Sequence, residues 1–210
     1  MTMLTNSDRY RRGVATLVAS WNEYAREATA GEVVRAPGVA AAVFPCEPER
    51  SVYNNALLEC ELEAQERAAA VDAMEAAYAQ AGIARFAAWV HESDAAMRSH
   101  LERRGYTVGD SSRAMGMSLD EIRLARPELD VAPADWSEHV RVGELQPELL
   151  SAGDHTAFQV LVARLGGENV ATGMAFDQRR DCGIYNVGTL QHARRRAERP
   201  ERGKRRDRRR

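Results

Sequence analysis

The sequence has only three cysteines and no long apolar run, and each shortage excludes a class of protein. The cysteines, at positions 46, 60 and 182, form no Cys-x-x-Cys pair, which argues against a disulfide framework or a zinc cluster. The longest apolar run, Val39–Phe44, is far shorter than the roughly 20 residues that span a bilayer. The polar start of the chain has no secretory core. We therefore expect a soluble, cytoplasmic protein that contacts no membrane.

Most catalytic signatures are also absent. The sequence contains no G-x-G-x-x-G, no G-x-x-x-x-G-K-[ST] and no G-x-S-x-G. His91-Glu92 resembles the start of a zinc-protease motif, but Ala95 stands where the second histidine is required. His91 is therefore interpreted as a strand-end residue beside a helix cap, and no metal site is predicted. The other four histidines have no partner pattern and are interpreted as surface residues or as residues with satisfied hydrogen bonds.

The net charge of −2 hides an uneven distribution along the chain. The last 17 residues, Arg194–Arg210, hold 11 basic and 3 acidic residues and carry +8. The first 193 hold the other 18 basic and 28 acidic residues and carry −10. This split excludes a uniformly basic nucleic-acid-binding domain but is compatible with a basic arm.

In the first half, the spacing of apolar residues predicts helices that alternate with short strands. Each predicted helix has apolar residues three or four positions apart and ends at a glycine. The predicted elements are a helix over Tyr10–Ala30, a strand over Val39–Phe44, a helix over Glu61–Gln80, a strand over Arg85–Val90, a helix capped by Ser93 and Asp94 and closed by Gly105, and extended segments over Tyr106–Val108 and Arg113–Leu119.

The second half has a different pattern. Three strand-like runs, Ala157–Leu165, Asn169–Phe176 and Cys182–Leu190, are separated by short polar turns, which predicts consecutive hairpins. A charged stretch with two prolines precedes them and is interpreted as a linker. Helices with strands, followed by an antiparallel meander, predict an α+β fold with a mixed, mostly antiparallel sheet flanked by helices.

The last of these runs carries a family resemblance. Ile184–Leu190, followed by Gln191-His192-Ala193-Arg194-Arg195-Arg196, resembles the fourth strand and following turn of the GNAT N-acetyltransferase superfamily. In that family the strand continues into an Arg/Gln-x-x-Gly-x-Gly/Ala loop and a helix, which bind the coenzyme A pyrophosphate. The meander from 157 to 190 resembles the family's second to fourth strands. An ordinary meander that meets a basic tail is the alternative interpretation.

A second resemblance lies upstream. Phe86–Met97 and Leu101–Tyr106 are similar to a later part of the same superfamily, in which a strand, a short helix and Gly-Phe/Tyr follow one another. The predicted helix Glu61–Gln80 lies where the family's coenzyme helix would be. However, Ser51–Ala56 takes the place of the glycine-rich phosphate loop, and without glycines a backbone cannot approach phosphate closely. This half therefore resembles a degenerate acetyltransferase domain.

The resemblance implies a tandem arrangement with an incomplete second copy. The predicted division is a degenerate GNAT-like domain over 1–120, a linker over 121–136, a partial GNAT domain over 137–196 and a disordered basic tail over 197–210. After Arg196 the family pattern needs Gly-x-Gly, but Ala197 and Arg199 occupy those places and Pro200 would obstruct a helix. We therefore expect that the sequence from about 197 onward is a truncated or out-of-frame ending, and that the meander keeps an uncovered edge and apolar face.

The resemblance implies an acetyl-CoA-dependent N-acyltransferase that acts on a small-molecule or peptide amine, without a metal. Its coenzyme contacts would be Val187, Gly188, Thr189, Arg194, Arg195 and Arg196. Glu144, Tyr185 and Asn186 are candidates for transferring a proton or binding the amine. Their spacing in the sequence does not show which of them has which role. The alternative is a non-catalytic module whose tail binds nucleic acid nonspecifically, since no aromatic residue in the tail can stack on bases. Self-association through the uncovered sheet is a third possibility.

Overall fold

Within the part of the chain that the structure describes, eight strands form two four-stranded sheets, with four helices packed on them. The computed structural model describes residues 5–28, 30–109, 111–112, 114–121, 130–145 and 156–194. The helices are α1 (Asn6–Glu27), α2 (Ala64–Gln80), α3 (Ala95–Arg103) and α4 (Trp136–Gly143). The strands are β1 (Glu32–Ala36), β2 (Val39–Val43), β3 (Asn55–Leu58), β4 (Ala87–Trp89), β5 (Asp130–Pro133), β6 (Phe158–Leu165), β7 (Glu168–Gln178) and β8 (Asp181–Thr189).

The first sheet has the order β1-β2-β3-β4 and is mixed. Strands β1, β2 and β3 are antiparallel, and β4 is parallel to β3 with Asn55 opposite Ala87. A parallel pair needs a crossover between its strands, and α2 provides it. The tight β1–β2 turn depends on Gly38, which has a φ of +78° and lies against Leu62 and Ala70, so that a side chain there would clash.

The second sheet has the order β5-β6-β7-β8 and is antiparallel throughout. Strands β6, β7 and β8 confirm the three predicted runs to within two residues at each end. The α+β class with mixed and antiparallel sheets flanked by helices is also confirmed. Strand β5 lies inside the predicted linker 121–136, and it pairs along its whole length with β6. Pro133 is compatible with this strand because β5 is at the edge of the sheet.

Helix α1 joins the two sheets through a shared core. It begins four residues earlier than predicted because Thr5 and Asp8 form a capping box, and it ends at Glu27 rather than at Ala30. Its buried residues Val18, Trp21 and Tyr24 pack on Ala42 and Phe44 of the first sheet. The same helix face packs on the second sheet, where the buried residues are Phe158, Val160, Met174 and Phe176. Helix α1 therefore contacts both sheets. The predicted division of the chain at 120 and 137 remains a prediction.

A separate core lies on the other face of the first sheet, under α2 and α3. Helix α2 contributes Val71, Met74 and Tyr78, all fully buried, against the apolar side chains of β2 and β3. The Tyr78 hydroxyl donates to the Ala42 carbonyl (3.1 Å), which fixes α2 on β2. Asp94 caps α3, as predicted, by accepting from the Met97 N–H (2.8 Å). The first sheet is thus covered by helices on both faces.

The expected extended segments after Gly105 are the main departure within the described residues. No strand forms among the described positions of 106–119, and a short 3-10 turn covers Leu119–Glu121. Met115 is 90% exposed and Leu119 71%, so the apolar alternation that suggested a strand has no sheet to pack on. Among the described helices, none combines the length and apolarity needed to cross a membrane.

Candidate functional site

The candidate site is the end of β8, at the edge of the second sheet. We call Val187–Arg194 the β8 exit. Strand β8 pairs with β7 on one side only. The Leu190 N–H donates to the Val170 carbonyl (2.9 Å), toward β7. Because successive residues of a strand turn their N–H and C=O groups to opposite sides, those of Thr189 point to the open edge. Among the described strands, none therefore lies at the edge to which the Thr189 N–H points.

A bulge interrupts the ladder just before the exit. Thr172 pairs with Gly188 but Met174 pairs with Tyr185, so that Asn186 and Val187 together face Gly173. Asn186 has a φ of +50°, the left-handed conformation of the first residue of such a bulge. Asparagine tolerates this conformation better than most residues. The bulge bends β8 and leaves Val187 70% exposed.

Side chains behind the bulge hold it against α1. The Asn186 amide Nδ2 donates to the Tyr24 hydroxyl (3.3 Å), which in turn donates to the Met174 sulfur (3.3 Å). The Tyr185 ring folds over Gly183, where a Cβ would fall 2.3 Å from the tyrosine oxygen. Burial raises the pKa of Tyr185 to about 12 and also raises the pKa of Tyr24. Both hydroxyls are therefore protonated at neutral pH and act as hydrogen-bond donors.

Helix α4 supports the exit from the same side of the sheet. A Cβ on Gly188 would lie 2.9 Å from the Cα of Gly143, the last residue of α4, so the two backbones are in direct contact. Glu144 follows as the helix C-cap, exposed and in the left-handed conformation with a φ of +53°. This contact brings the α4 C-terminus, and with it Glu144, to the β8 exit.

A buried histidine lies beneath this contact. His139 of α4 is fully buried, and its Nδ1 lies 2.7 Å from the Thr172 hydroxyl oxygen. That hydroxyl donates to the Leu161 carbonyl (2.9 Å), so its oxygen accepts from the His139 Nδ1–H. Burial lowers the pKa of His139, and its Nε2 has no hydrogen-bond partner among the described residues. His139 is a neutral packing residue with only its Nδ1 hydrogen-bonded, so neither of the two interpretations, a surface residue or one with satisfied hydrogen bonds, describes it fully.

The structure brings four of the six predicted coenzyme residues together. Val187, Gly188 and Thr189 end β8, and the exposed Arg194 returns to it by donating from Nε to the Thr189 carbonyl (2.9 Å). A short turn over Gln191–Ala193 makes this return possible. Arg195 and Arg196 lie outside the described residues. The role of all six in binding a coenzyme remains a prediction.

Tyr24, Gly143 and His139 contribute to the surroundings of the site but were not predicted there. Tyr24 is separated from Asn186 by 162 positions, and Gly143 from Gly188 by 45. No local pattern signals either contact. The helical spacing of Trp21 and Tyr24 predicts only that they are buried.

The equivalent connection in the first sheet has the opposite charge. Strand β3 is followed by Glu59–Glu63, which we call the β3 exit, and then by α2. Placing the phosphate-loop equivalent at Ser51–Ala56 was wrong, because Asn55 and Ala56 are already in β3 and the loop before them precedes the strand. Asn54 fixes that loop by accepting from the Phe44 N–H (2.7 Å) and donating to the Glu47 carbonyl (2.7 Å).

Carboxylates already occupy donors of the β3 exit. The Glu61 N–H donates to Asp94 (3.2 Å) and the Glu63 N–H to Glu66 (3.0 Å). Three of the five residues between β3 and α2 are themselves glutamates, and none is a glycine. An incoming phosphate would meet negative charge and backbone donors that are already paired. The first sheet therefore offers no anion site at this place.

The other predicted features carry little chemistry. His91 lies two residues beyond β4 and before the α3 cap, with its Nδ1 2.7 Å from the Ser93 hydroxyl and its ring edge-on to Tyr10. The three cysteines are free thiols. Over the described part of the chain, no three His, Cys, Asp or Glu side chains are arranged to hold a metal ion.

Comparison with known proteins places the fold but not a family. No protein-family model matches the sequence, and no curated protein shows significant similarity to it. A solved structure of a GCN5-related N-acetyltransferase from Kribbella flavida is similar with a TM-score of 0.58 and 16% identity, over 88% of this chain and 75% of that chain. A conserved protein of unknown function from Staphylococcus epidermidis ATCC 12228 is similar with a TM-score of 0.52 and 10% identity, over 80% of this chain and 75% of that one. The chain has a GNAT-like fold.

Proposed function

We propose that this protein is an acetyl-CoA-dependent N-acyltransferase of tandem GNAT type, with its coenzyme site at the β8 exit. The first sheet would be the degenerate copy and the second sheet the coenzyme-binding one. The acceptor would be an amine of a small molecule or peptide. The support comes from the GNAT-like fold and from the contrast between the two exits. No metal is part of the proposal.

The observation that carries the proposal is the bulge at Asn186 and Val187. It bends the edge strand immediately before a residue, Thr189, whose N–H points to the open edge. The pantetheine arm of coenzyme A contains amides, which can pair with such free strand groups. The thioester carbonyl would accept a hydrogen bond from a backbone N–H, which stabilises the oxyanion that forms during acyl transfer.

The pyrophosphate would be bound by arginines rather than by glycine-rich backbone. Arg194 ends the described part of the exit, and Arg195 and Arg196 follow it in the sequence. Guanidinium groups bind phosphate oxygens in a bidentate manner, which can replace contacts that a Gly-x-Gly loop would make. This substitution is consistent with the missing glycines after Arg196.

The reaction needs a nucleophile and two proton transfers. The neutral amine nitrogen attacks the thioester carbonyl carbon, the C–S bond breaks, and the thiolate leaves as coenzyme A. Glu144, an exposed carboxylate beside the exit, would accept the proton that the amine loses. Tyr185 folds over Gly183 on the α1 side of the sheet, and burial raises its pKa to about 12, which makes it a weaker acid, so the departing thiolate would take its proton from solvent. Asn186 would position the strand.

Calorimetric titration with acetyl-CoA tests the proposal. We expect saturable binding by the full chain, weakened several-fold by Arg194→Gln because a charge-assisted hydrogen bond is lost. Arg103→Gln is the matched control, since Arg103 is an exposed arginine on α3, away from β8. Absence of binding by the wild-type chain, or equal losses in both variants, would contradict the coenzyme site.

The charge of the C-terminal sequence favours a second candidate function, nonspecific binding of nucleic acid. Eleven basic residues in 17 would bind phosphates with an affinity that falls steeply as salt increases. Binding to a duplex DNA that disappears when residues 197–210 are deleted, together with no response to acetyl-CoA, would favour this function over the acyltransferase.

A further inference from the structure

Tyr24 of helix α1 contacts one residue on each of three neighbouring strands of the second sheet. Its ring stacks on Phe158 of β6, with the ring centroids 4.9 Å apart and an angle of 19° between the planes. Its hydroxyl donates to the Met174 sulfur of β7 (3.3 Å) and accepts from the Asn186 amide of β8 (3.3 Å). Only 8% of Tyr24 is exposed. The packing of the ring therefore fixes the place at which the hydroxyl holds Asn186.

Helix α1 is attached to β8 at a second place, the start of the strand. The Arg12 guanidinium donates from Nε to one oxygen of the Asp181 carboxylate (3.0 Å) and from Nη2 to the other. Arg12 and Tyr24 are 12 residues apart on the helix, a distance of about 18 Å. Asp181 and Asn186 are five residues apart on the strand, a distance of about 17 Å. The helix thus runs alongside β8 from the start of the strand to the bulge.

The bulge decides which backbone groups of β8 face the open edge. Before the bulge, Met174 is opposite Tyr185, and beyond it the Leu190 N–H donates to the Val170 carbonyl. A strand without the bulge would continue the first pairing, so that Val170 would be opposite Thr189. The Thr189 N–H would then donate to Val170, and the N–H of Leu190 would point to the open edge. The place of Thr189 at the edge therefore depends on the bulge.

The conformation of Asn186 is one that a residue with a side chain adopts at a cost. Its φ of +50° lies in the left-handed region, where glycine is the usual first residue of such a bulge. Asparagine can compensate for this cost by hydrogen bonding within its own turn. Here the Asn186 amide instead donates to Tyr24, across 162 positions of the chain. A contact with α1 therefore stabilises the bulge.

We propose that Tyr24 is a positioning residue that holds the register of β8 beyond the bulge and so keeps the Thr189 N–H at the open edge. Without the Tyr24 hydroxyl, part of the molecules would adopt the continuous register, in which Thr189 donates to Val170. The use of the Thr189 N–H in coenzyme binding rests on the proposed function. The register does not rest on it, and it can be measured without a ligand.

Residue-resolved amide hydrogen exchange of the ligand-free full chain, followed by NMR, measures the register. We expect Tyr24→Phe, which keeps the ring, to speed the exchange of the Leu190 N–H about fivefold or more relative to the amides of 181–185, because Leu190 loses its carbonyl partner when the register changes. A general loosening of the sheet would speed exchange on both sides of the bulge alike.

Tyr10→Phe is the matched control. Tyr10 is also a tyrosine of α1, but its hydroxyl lies 3.9 Å from the sulfur of Cys60, which belongs to the β3 exit. This variant should leave the exchange of Leu190 relative to that of 181–185 unchanged. Circular dichroism of all variants verifies that they are folded.

Asn186→Gly provides a rescue test. Glycine adopts the left-handed conformation without the amide contact, so Tyr24→Phe should have no further effect on the exchange of Leu190 in the Asn186→Gly protein. The same variants serve for calorimetric titration with acetyl-CoA. Tyr24→Phe should weaken binding several-fold in the wild-type protein and should not weaken it further in the Asn186→Gly protein.

Two exchange results would overturn the proposal. One is a Tyr24→Phe protein in which the exchange of Leu190 changes no more than that of 181–185. The other is an equal effect of Tyr24→Phe with and without Asn186→Gly. If exchange responds as expected but the wild-type chain does not bind acetyl-CoA, the coenzyme site is wrong and the role of Tyr24 in the register is supported. Binding that Tyr24→Phe does not weaken would overturn the link between Tyr24 and the coenzyme site.

Discussion

Strands β3 and β8 each end a series of antiparallel strands, β1 to β3 in the first sheet and β5 to β8 in the second, although β3 also pairs with β4 and β8 is an edge strand. Their exits differ in both backbone and charge. The β3 exit has three glutamates, and Asp94 and Glu66 occupy two of its N–H groups. The β8 exit follows a bulge, leaves the Thr189 N–H on an open edge and ends at Arg194. The residues after each strand thus make the β3 exit acidic with occupied backbone donors and the β8 exit basic at its end.

The sheets also differ in how completely they are covered. The first has helices on both faces, whereas the described helices cover one face of the second. Helix α1 nevertheless links them, because one face of it packs on both sheets. The comparison therefore raises a question of cooperativity, namely whether the two sheets unfold as one unit or as two.

Paired core truncations test this cooperativity and should have the largest effect. Met74 and Met174 are each at most 1% exposed, one in each core. We expect Met74→Ala and Met174→Ala each to lower the free energy of unfolding by about 2–5 kcal/mol. Because α1 joins the cores, both should shift a single transition in urea, followed by circular dichroism and tryptophan fluorescence. Two transitions, each moved by one variant alone, would show that the sheets are independent units.

A substitution at Gly188 tests whether α4 and β8 are in direct backbone contact at the β8 exit. Any side chain at Gly188 meets the Gly143 backbone at 2.9 Å, so Gly188→Ala must displace α4 or the strand. We expect a loss of about 1–3 kcal/mol of stability, typical of overpacking. Gly173→Ala is the control, because its Cβ would have only an ordinary contact of 3.6 Å with Val187. Equal losses in chemical denaturation would contradict the close backbone contact.

Substitution of Asn186, the left-handed residue of the bulge, should have a somewhat smaller effect on stability. Asn186 has a φ of +50°, which a β-branched residue adopts at a cost. We expect Asn186→Val to lower stability by about 1–2 kcal/mol, whereas Asn186→Gly retains the conformation and loses less. Thermal unfolding of the two variants measures the difference. If valine is tolerated as well as glycine, β8 has no bulge at this position.

The smallest expected effect is on the way that the free energy of unfolding depends on pH. Burial lowers the pKa of His139 in the folded protein below its ordinary value of 6.5. The unfolded chain therefore binds a proton more readily, so the stability due to neutral His139 is complete above about pH 6.5 and is lost as pH falls. We expect His139→Gln to flatten the decline in unfolding free energy between about pH 7 and pH 5. A slope that is the same in the wild-type and His139→Gln proteins would contradict the burial of a neutral His139.

The sequence predicts the elements of this fold better than their contacts. Strands β6, β7 and β8 follow from apolar runs between polar turns, and α2 and α3 from helical spacing. Strand β5 was missed because it is short and lies among charges and prolines. The extended segment ending at Leu119 was predicted from alternation alone, although a strand also requires a partner. The hydrophobic pattern of a sequence indicates which residues are buried. It does not indicate which strands pair with one another.

The site was predicted in outline and not in detail. The residues that end β8 were identified from their resemblance to a known strand and turn. The left-handed Asn186 and its link to Tyr24 depend on a contact across 162 positions, which no local pattern can reveal. The phosphate-loop equivalent of the first sheet was misplaced because Ser51–Asn54 has the composition of a turn. The acidic segment after β3 becomes visible only once the strand is located.

The central claim is that the β8 exit, and not the β3 exit, binds the coenzyme. Hydrogen–deuterium exchange of the full chain with and without saturating acetyl-CoA tests it most directly. We predict slower exchange of the amides in 186–190, above all that of Thr189, and no change in 59–63. Protection of 59–63, or unchanged exchange throughout 186–190, would contradict the account.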